Sequence, residues 1–420
     1  MDEGPPPRTG PGTRKRDDAS EHPFSGHEGS CTTTSPAGED TVSASPSGLG
    51  QQPRPFPDAG PKEGTAMIMI HRPKAARRLL TTAVVAVLVS TLGATVPAAP
   101  ALAAPGPSFT NPLVGAPNSA DPSIVYSNGN WYYIATTWTS RIVMRTSSTM
   151  AGLKNAPERT LFTLAPGPGC CTMWAPDIQW INNRWYIYFS AEPSPGQGAR
   201  RTGVLESNGT DPLGPYTYRG ILNLEPNNGW AIDGSVVRFN GYVNHFVYSA
   251  FRGGEQGLFI APMSSPTQVS RNGVRISSPT LSWERQGGAV NEGPYAVYNG
   301  GRTFLTYSAS SCNTPDYKLG TLTWTGGDPM SPSSWTKRST PIFQRSDANG
   351  VYGPGHASFT RSPDGAETWI VYHANSSANQ GCGTTRTTRA QKIGWNSDGT
   401  PNPGVPVRTG TTIAGPSGDS

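Results

Sequence analysis

One pattern recurs five times along residues 121–374, and it restricts the fold more than any other feature of the sequence. Each copy has a polar start, a short apolar run, a turn rich in Asn and Gly, and an aromatic second segment. The copies are DPSIVYSNGNWYYIATT from Asp121, APDIQWINNRWYIYFSA from Ala175, DGSVVRFNGYVNHFVYSA from Asp233, EGPYAVYNGGRTFLTYSAS from Glu292 and GHASFTRSPDGAETWIVYHA from Gly355. Strand-forming runs on either side of such turns predict β-hairpins.

The spacing of the copies predicts how the hairpins are arranged. Further β-like segments lie between them, namely RIVMRTSS, TGVLES, GLFIAP, KLGTLTWT and AQKIGW, which gives about four strands per unit. The unit starts Asp121, Asp177, Asp233, Glu292 and His356 are 56, 56, 59 and 64 residues apart. Radial repetition of small sheets at such a period predicts an all-β, five-bladed β-propeller in one catalytic domain. The alternative is a β-sandwich or jelly roll whose hairpins resemble one another by chance.

The N-terminal part of the chain differs in composition from the repeats. Residues 1–66 are rich in Pro, Gly, Ser and charge and poor in aliphatic residues, which predicts a disordered or untranslated extension. Residues 67–103 read as a signal peptide, with the basic MIMIHRPKAARR, the apolar LLTTAVVAVLVSTLGA and the cleavage region VPAAPALAA. A membrane anchor is the alternative, but the apolar run is shorter than the ~20 residues that a spanning helix needs.

We therefore expect translation to begin at Met67 or Met69 and cleavage to follow Ala103. The product would be a secreted, extracellular protein of residues 104–420, without a membrane segment. Sequencing the N-terminus of the secreted protein tests this expectation, and residues 1–66 still attached would refute it.

Charge and motif content exclude several classes of function. The formal net charge is +5, and the basic residues are scattered, which is not the footprint of a nucleic-acid-binding protein. The sequence has no motif for a nucleotide, redox or phosphate cofactor, so none is expected. It also lacks heptads and an exposed amphipathic helix, so we expect a monomer.

The four cysteines of residues 104–420 predict disulfides, because an exported chain passes into an oxidising compartment. They are Cys170, Cys171, Cys312 and Cys382. We favour Cys312 with Cys382 and a vicinal Cys170–Cys171 pair, while pairings between the two groups and four reduced thiols stay open. A vicinal pair beside Trp174 would form either an apolar pocket wall or an ordinary loop crosslink.

The unit starts also predict a functional site. The first strand of each propeller blade lines the central channel, so four carboxylates and an imidazole would converge at one mouth. Gathering like charges raises at least one pKa, which acid and base catalysis requires. Trp138, Trp174 and Trp230 lie near the same rim and suit the face of a sugar. Carboxylates with aromatic platforms in a secreted propeller indicate glycoside hydrolysis.

Five motifs in order resemble glycoside hydrolase family 43. They are SADPSIV around Asp121, MWAPDIQ around Asp177, AIDGSVV around Asp233, VNEGPY around Glu292 and GPGHASFT around His356. The resemblance covers essentially all of residues 104–420. Within the family, the chain is most similar to secreted exo-acting α-L-arabinofuranosidases that act on arabinan and arabino-oligosaccharides. The implied partner is an arabinose-containing polysaccharide or oligosaccharide of the plant cell wall.

The resemblance implies a role for three carboxylates. Asp121 matches the general base that activates water, Glu292 the general acid that protonates the leaving oxygen, and Asp233 the residue that orients the acid and tunes its pKa. Members of the family invert the anomeric centre, so the base and the acid should lie roughly 6.5 to 9.5 Å apart. The alternative for each residue alone is a turn cap or a surface charge.

Four further residues are candidates for substrate binding. His356 matches an axial histidine beneath the sugar, near a water-coordinated calcium or other ion; the alternative is a hydrogen-bonded core histidine. Asp177 either binds substrate or holds its strand start, and Trp174 either stacks on arabinose or fills the rim. Arg386 matches an arginine that contacts substrate near the base, and Arg389 is then expected to point outward.

The same three carboxylates also serve other reactions. An endo-arabinanase with an open groove and a β-xylosidase are alternatives within the family. A non-catalytic carbohydrate-binding propeller is the alternative from another class, but such a protein would be expected to lack at least one of the acids.

Overall fold

The computed structural model of the chain describes residues 103–164, 172–192 and 200–420, and the following account is limited to them. In these ranges the chain forms β-strands and short 3-10 helices, with no α-helix. No helix there is long and apolar enough to cross a membrane. The predicted extension 1–66, the predicted signal peptide apart from Ala103, and Cys170 and Cys171 lie outside the described residues.

The strands form five main antiparallel sheets in chain order. A short strand, β1 (Phe109–Thr110), comes first. The first sheet contains β2 (Ala120–Ser127), β3 (Asn130–Thr136), β4 (Arg141–Ser147) and β5 (Arg159–Thr163). The second contains β6 (Trp174–Ile181), β7 (Arg184–Ala191), β8 (Arg201–Ser207) and β9 (Tyr216–Ile221). The third contains β10 (Ala231–Val237), β11 (His245–Arg252), β12 (Glu255–Ser265), β13 (Gln268–Val269) and β14 (Val274–Ser277).

The fourth and fifth sheets follow the same plan. The fourth contains β15 (Asn291–Asn299), β16 (Arg302–Ala309), β17 (Lys318–Trp324) and β18 (Trp335–Lys337). The fifth contains β19 (Tyr352–Arg361), β20 (Thr368–Asn375) and β21 (Thr387–Lys392). The short strands β22 (Gly394–Trp395), β23 (Pro401–Asn402) and β24 (Thr412–Ile413) complete the chain. The 3-10 helices are Ala151–Lys154, Pro226–Asn228, Ser282–Glu284, Pro332–Ser334 and Asp347–Asn349.

The five sheets are the blades of a propeller. Their first strands β2, β6, β10, β15 and β19 contact one another in sequence, and β19 also contacts β2, which closes the ring. Among the described residues, each pair of neighbouring blades shares one buried apolar cluster, and Trp131 packs in the cluster between the fifth and first blades. The predicted all-β, five-bladed β-propeller is therefore confirmed.

Packing on both sides of each blade explains why one expectation was wrong. Arg389 does not point outward; it is fully buried, and its Nη2 atom donates to Ser376 Oγ at 2.9 Å. In a propeller the neighbouring blades cover both faces of a strand pair. The alternation of side chains along β21 therefore turns Arg389 toward a packed face and not toward solvent.

The segment that precedes the first blade packs against the fifth blade. The amide nitrogen atoms of Leu113 and Val114 donate to the Thr388 carbonyl, and Thr388 N donates back to Val114. Asn111 bridges to the backbone of Ala390 through both ends of its side-chain amide. Residues 111–114 thus flank the outer strand of the fifth blade. In the C-terminal stretch, β23 pairs with β22 and β24 pairs with β1.

Candidate active site

The first strand of every blade carries a β-bulge at the same point. The pairing with the second strand shifts between Ala120 and Ser123 in the first blade, and at the matching place in the other four. One residue inside each bulge has a positive φ: Asp121, Ala175, Asp233, Gly293 and His356. Positive φ is costly for residues other than glycine and is concentrated at functional sites. All five of these residues line one cavity on the axis of the ring.

The positions of the bulges show that the equivalence of the five unit starts, predicted from the sequence, was wrong in two blades. The sequence placed Asp121, Asp177, Asp233, Glu292 and His356 at equivalent positions. Strand pairing shows that Glu292 lies one residue before the positive-φ position of its blade, and that Asp177 lies two residues after the positive-φ position of its blade. Ala175 and Gly293 therefore occupy the level of Asp121. The alignment was wrong because the spacing of acidic residues does not reveal where a bulge inserts an extra residue.

Asp121 is buried and held by groups from two blades, the first and the fifth. Arg386 Nη1 donates to Asp121 Oδ1 at 2.9 Å, and Thr136 Oγ1 donates to Oδ2 at 2.7 Å. His356 Nδ1 lies 3.4 Å and His373 Nδ1 lies 3.1 Å from Oδ1. Burial alone would raise the pKa of Asp121, but the charge of Arg386 is the largest of the influences that hold it well below its ordinary value. Asp121 is therefore a carboxylate over the neutral range.

Asp233 lies beside the backbone that follows Glu292. Its Oδ2 atom accepts a hydrogen bond from Gly293 N at 3.1 Å and lies 3.8 Å from His356 Nδ1. Burial, followed by the nearby charges of Glu292 and Asp121, raises the pKa of Asp233 well above its ordinary value. His356 lies between Asp121 and Asp233, and burial lowers its pKa, which favours the neutral imidazole.

Glu292 is half-buried and has a separate set of partners. Tyr317 donates its hydroxyl to Oε1 at 2.9 Å, and Gln256 Nε2 donates to Oε2 at 2.8 Å. Burial raises the pKa of Glu292, and these two hydrogen bonds oppose the rise without cancelling it. Because Asp233 and Glu292 influence each other, the pair retains a proton to higher pH than isolated carboxyl groups would. The sequence reasoning missed Thr136, Gln256 and Tyr317.

Asp177 lies deeper in the axial cavity. Its carboxylate accepts hydrogen bonds from Ser123 Oγ and Gln179 Nε2, both at 2.9 Å. Burial raises the pKa of Asp177 to about 6, against the effect of these hydrogen bonds. Ser235 and Ser358 line the same cavity, and the Ser358 hydroxyl has no hydrogen-bond partner among the described residues.

The sequence predicts an ion on the propeller axis, coordinated through water near His356. Within residues 103–164, 172–192 and 200–420, no group of three or more His, Cys, Asp or Glu side chains could hold a metal ion. The water-coordinated ion near His356 stays a prediction.

The aromatic rim extends from the arginine that binds Asp121. The guanidinium carbon of Arg386 lies 5.4 Å from the centre of the Trp138 ring, and the Trp138 and Trp174 rings are 6.2 Å apart. The guanidinium carbon of Arg200 lies over the Trp174 ring, 3.3 Å from its centre. Trp230, also expected near this rim, packs on Phe251 with ring centres 4.9 Å apart. Trp138 and Trp174 thus form an aromatic wall that begins at Arg386.

A disulfide crosslinks two loops beside the site. Cys312 and Cys382 are bonded, as predicted, across a separation of 70 residues. The first loop leads to Tyr317 and the second to Arg386. The crosslink therefore restrains the segments that supply partners of Glu292 and Asp121.

The family of the chain follows from a match that spans the propeller. Residues 109–401 match the profile of glycosyl hydrolases family 43. The chain belongs to glycoside hydrolase family 43. The resemblance seen in the five sequence motifs is therefore confirmed, and the protein is a glycoside hydrolase.

Similar proteins within family 43 carry consistent names. An extracellular exo-α-(1→5)-L-arabinofuranosidase of Streptomyces avermitilis is 41% identical over 351 residues, which cover 80% of this chain and 71% of that protein. An α-L-arabinofuranosidase 43 of Humicola insolens is 39% identical, covering 74% of this chain and 66% of that protein. The crystal structure of an α-L-arabinofuranosidase from Lactobacillus brevis superposes with a TM-score of 0.67 at 32% identity, covering 72% of this chain and 98% of that one.

Proposed function

We propose that this family 43 enzyme is a secreted, inverting α-L-arabinofuranosidase that releases terminal arabinofuranose from arabinan or arabino-oligosaccharides. The observation that carries the proposal is the different set of partners of two carboxyl groups: Arg386 and Thr136 bind Asp121, whereas Tyr317 and Gln256 bind Glu292. The pKa of Asp121 is held low by Arg386 after burial is taken into account, whereas burial raises the pKa of Glu292 and of Asp233. Two carboxyl groups with opposite shifts suit a base and an acid.

Asp121 is assigned as the general base. It is ionised, and its oxygens are fixed by Arg386 and Thr136, so it can accept a proton from a water molecule poised over the anomeric carbon. As the water oxygen bonds to that carbon, one proton of the water passes to Asp121. The attack comes from the face opposite the leaving group, so the configuration is inverted.

Glu292 is assigned as the general acid. Its raised pKa keeps a proton available, and Tyr317 and Gln256 hold the carboxyl group in one orientation. As the bond between the anomeric carbon and the glycosidic oxygen breaks, Glu292 gives its proton to that oxygen. The leaving group departs as an alcohol, and the two proton transfers balance.

Asp233 and His356 are assigned supporting roles. Asp233 binds the amide of Gly293, the residue after Glu292, so it can orient the acid and oppose the loss of its proton. His356 lies within 3.8 Å of both aspartates and, as a neutral imidazole beneath the sugar, can hydrogen-bond a substrate hydroxyl. Trp174 and Trp138 would provide the apolar wall for the sugar ring.

The names of the relatives support the choice of substrate and location. Two of them, from Streptomyces avermitilis and Streptomyces chartreusis, are named extracellular exo-α-(1→5)-L-arabinofuranosidases. We assign the same substrate class to this chain, with arabinose-containing polysaccharides of the plant cell wall as its source. The disulfide between Cys312 and Cys382 supports an oxidising, extracellular location.

A substrate panel tests the proposal. The enzyme should hydrolyse aryl α-L-arabinofuranoside in preference to aryl β-xyloside, and it should release only monomeric arabinose from linear arabinan. Glu292→Gln should lose activity on arabinan by on the order of 10²-fold or more, because the leaving oxygen is not protonated. Glu206→Gln, which removes a carboxylate paired with Arg219 outside the site, is the matched control and should keep full activity.

Each of the alternatives has its own signature in this panel. Oligosaccharides as the first products of arabinan would indicate an endo-arabinanase, and faster cleavage of the xyloside would indicate a β-xylosidase. Full activity of Glu292→Gln would refute the assignment of the acid. Binding of arabinan without any hydrolysis would indicate a carbohydrate-binding protein.

A further inference from the structure

A second ring of equivalent residues surrounds the axial site. In each blade, one residue of the second strand pairs with the residue just before the positive-φ position of the first strand. In the first four blades this residue carries a hydroxyl group, and in the fifth it is a histidine. The five members are Thr136, Ser190, Ser249, Ser308 and His373.

The hydroxyl members connect each blade to the backbone of the next. Thr136 Oγ1 accepts a hydrogen bond from Ala175 N at 2.8 Å, and Ser190 Oγ accepts one from Asp233 N at 3.0 Å. Ser308 Oγ does the same for His356 N at 2.7 Å. Three hydroxyl groups thus secure the backbone of a residue with positive φ in the following blade.

The remaining hydroxyl member uses the neighbouring carbonyl group. Ser249 Oγ donates to Asn291 O at 2.9 Å and so also joins its blade to the next one. These inter-blade bonds offset part of the strain that the bulges place on the first strands.

His373 closes the ring between the fifth blade and the first. Its Nδ1 atom accepts a hydrogen bond from Asp121 N at 3.2 Å and lies 3.1 Å from Asp121 Oδ1. Its ring stacks on Tyr317 at 5.6 Å with an interplanar angle of 5°, and Tyr317 donates to Glu292. The one imidazole of the ring therefore lies against both Asp121 and the partner of Glu292.

The surroundings of His373 favour an uncharged ring. The charged and titratable groups that face it are Asp121, Arg386, His356 and Tyr317. Burial, with Arg386 next in effect, lowers the pKa of His373 to about 4, although Asp121 opposes the change. Above that pH the neutral ring accepts the Asp121 amide proton at Nδ1, so its own proton lies on Nε2.

We propose that His373 is a positioning residue that fixes the general base Asp121 by accepting its backbone N–H at Nδ1. The inference rests on the proposed function of Asp121. His373 is 1% exposed, so it acts through Asp121 and not by touching substrate. A loosened Asp121 would misplace its carboxylate relative to the attacking water, and a displacement of about 1 Å can cost on the order of 10²-fold in rate.

Two matched substitutions isolate the acceptor atom. In His373→Asn the amide oxygen can take the place of Nδ1, whereas in His373→Gln it can reach only the place of Nε2. Both variants lose the stacked ring, so the difference between them reports the acceptor and not the packing on Tyr317. His373→Ala provides a smaller variant that lacks the acceptor and introduces no overpacking.

The expected result is a difference in kcat at a nearly constant KM. With aryl α-L-arabinofuranoside, the Asn variant should keep kcat within about 5-fold of the wild type, and the Gln and Ala variants should lose on the order of 10²-fold. Circular dichroism and thermal unfolding identify variants that do not fold. If Gln does not fold, the comparison of Asn with Ala decides. An Asn variant that does not fold would overturn the proposal, because the acceptor alone should maintain the inter-blade bond.

Three further results would overturn the inference. They are equal kcat losses in the Asn and Gln or Ala variants, unchanged kcat in all of them, and losses confined to KM. The wild type and Asp121→Asn are measured alongside. If the wild type does not hydrolyse arabinofuranosides, or Asp121→Asn keeps full activity, the proposed function itself fails. If the wild type is active and Asp121→Asn is not, the results for the His373 variants test only the role of His373.

Discussion

Replacing Arg386 with glutamine should move the acid limb of the pH–rate profile. Arg386 Nη1 lies 2.9 Å from Asp121 Oδ1, and both side chains are at least nine-tenths buried. Arg386 is the largest of the influences that lower the pKa of Asp121, while burial works in the opposite direction. Without the guanidinium charge, burial should raise the pKa of Asp121, and the base should be lost to protonation at a higher pH.

The size of the effect can be bounded from this geometry. Unit charges at 2.9 Å interact by about 6 kcal/mol at an effective dielectric constant near 20, which is an upper limit because the guanidinium charge is delocalised. An arginine beside an aspartate ordinarily lowers the pKa of the aspartate by about 1 to 3 units. We therefore expect the acid limb of kcat/KM to move upward by about 1 to 3 pH units.

The assay is kcat/KM for aryl α-L-arabinofuranoside from acid to neutral pH. Arg252→Gln is the matched control, because it breaks another close ion pair, Arg252 with Glu225 at 2.6 Å, without touching Asp121. The acid limb of this control should coincide with that of the wild type. An acid limb that stays in place in Arg386→Gln, or that moves equally in both variants, would refute the electrostatic assignment of the base.

Three other perturbations have defined outcomes. Asp177→Asn should stabilise the fold by up to about 3 kcal/mol at pH 8 and have little effect near pH 4. The reason is that burial raises the pKa of Asp177 from its ordinary 3.8 to about 6, so the native state becomes less stable as the pH rises through this window and the carboxyl group ionises. Thermal unfolding at both pH values checks the sign, and a gain only at pH 4 would contradict it. Replacing Cys312 and Cys382 together with alanine should cost about 4 kcal/mol, since a loop of 70 residues is no longer closed in the unfolded chain; an unchanged urea midpoint would disagree. Trp174→Ala should raise KM for arabino-oligosaccharides by about 10-fold and leave kcat nearly unchanged, and steady-state kinetics with an unaltered KM would exclude its role in binding the sugar.

The fold could be predicted because its signal is repeated. Each hairpin combines an Asn-Gly or similar turn with strand-forming residues, and five copies at a similar period leave few architectures. The contribution of residues 111–114 to the fifth blade could not be predicted. It depends on a contact with Thr388 that is distant in sequence and carries no local pattern.

The sequence predicted which side chains lie near the axis better than it predicted their positions along the strands. Asp121, Asp233 and His356 line the axial cavity, Arg386 binds Asp121, and Glu292 directly precedes Gly293, whose amide donates to Asp233. The positions of Asp177 and Glu292 along their strands were predicted wrongly, because a bulge adds a residue without leaving a recognisable pattern in the sequence.

His373 had a signal that the sequence reasoning did not use. The fifth copy ends in YHA where the third and fourth copies end in YSA, so an imidazole replaces a hydroxyl at a repeated position. Only the pairing of the strands shows that this position faces the backbone of Asp121. Gln256 and Tyr317 gave no comparable signal, because they reach Glu292 from a neighbouring strand and a loop.

The most direct test of the central claim is the configuration of the first product. Proton NMR during hydrolysis of an aryl α-L-arabinofuranoside resolves the two anomers before they equilibrate. With Asp121 activating water opposite the leaving group protonated by Glu292, β-L-arabinofuranose should accumulate first and the α-anomer should appear only by later mutarotation. If the α-anomer appears first, the reaction retains configuration, and the assignment of Asp121 as the base for water is wrong.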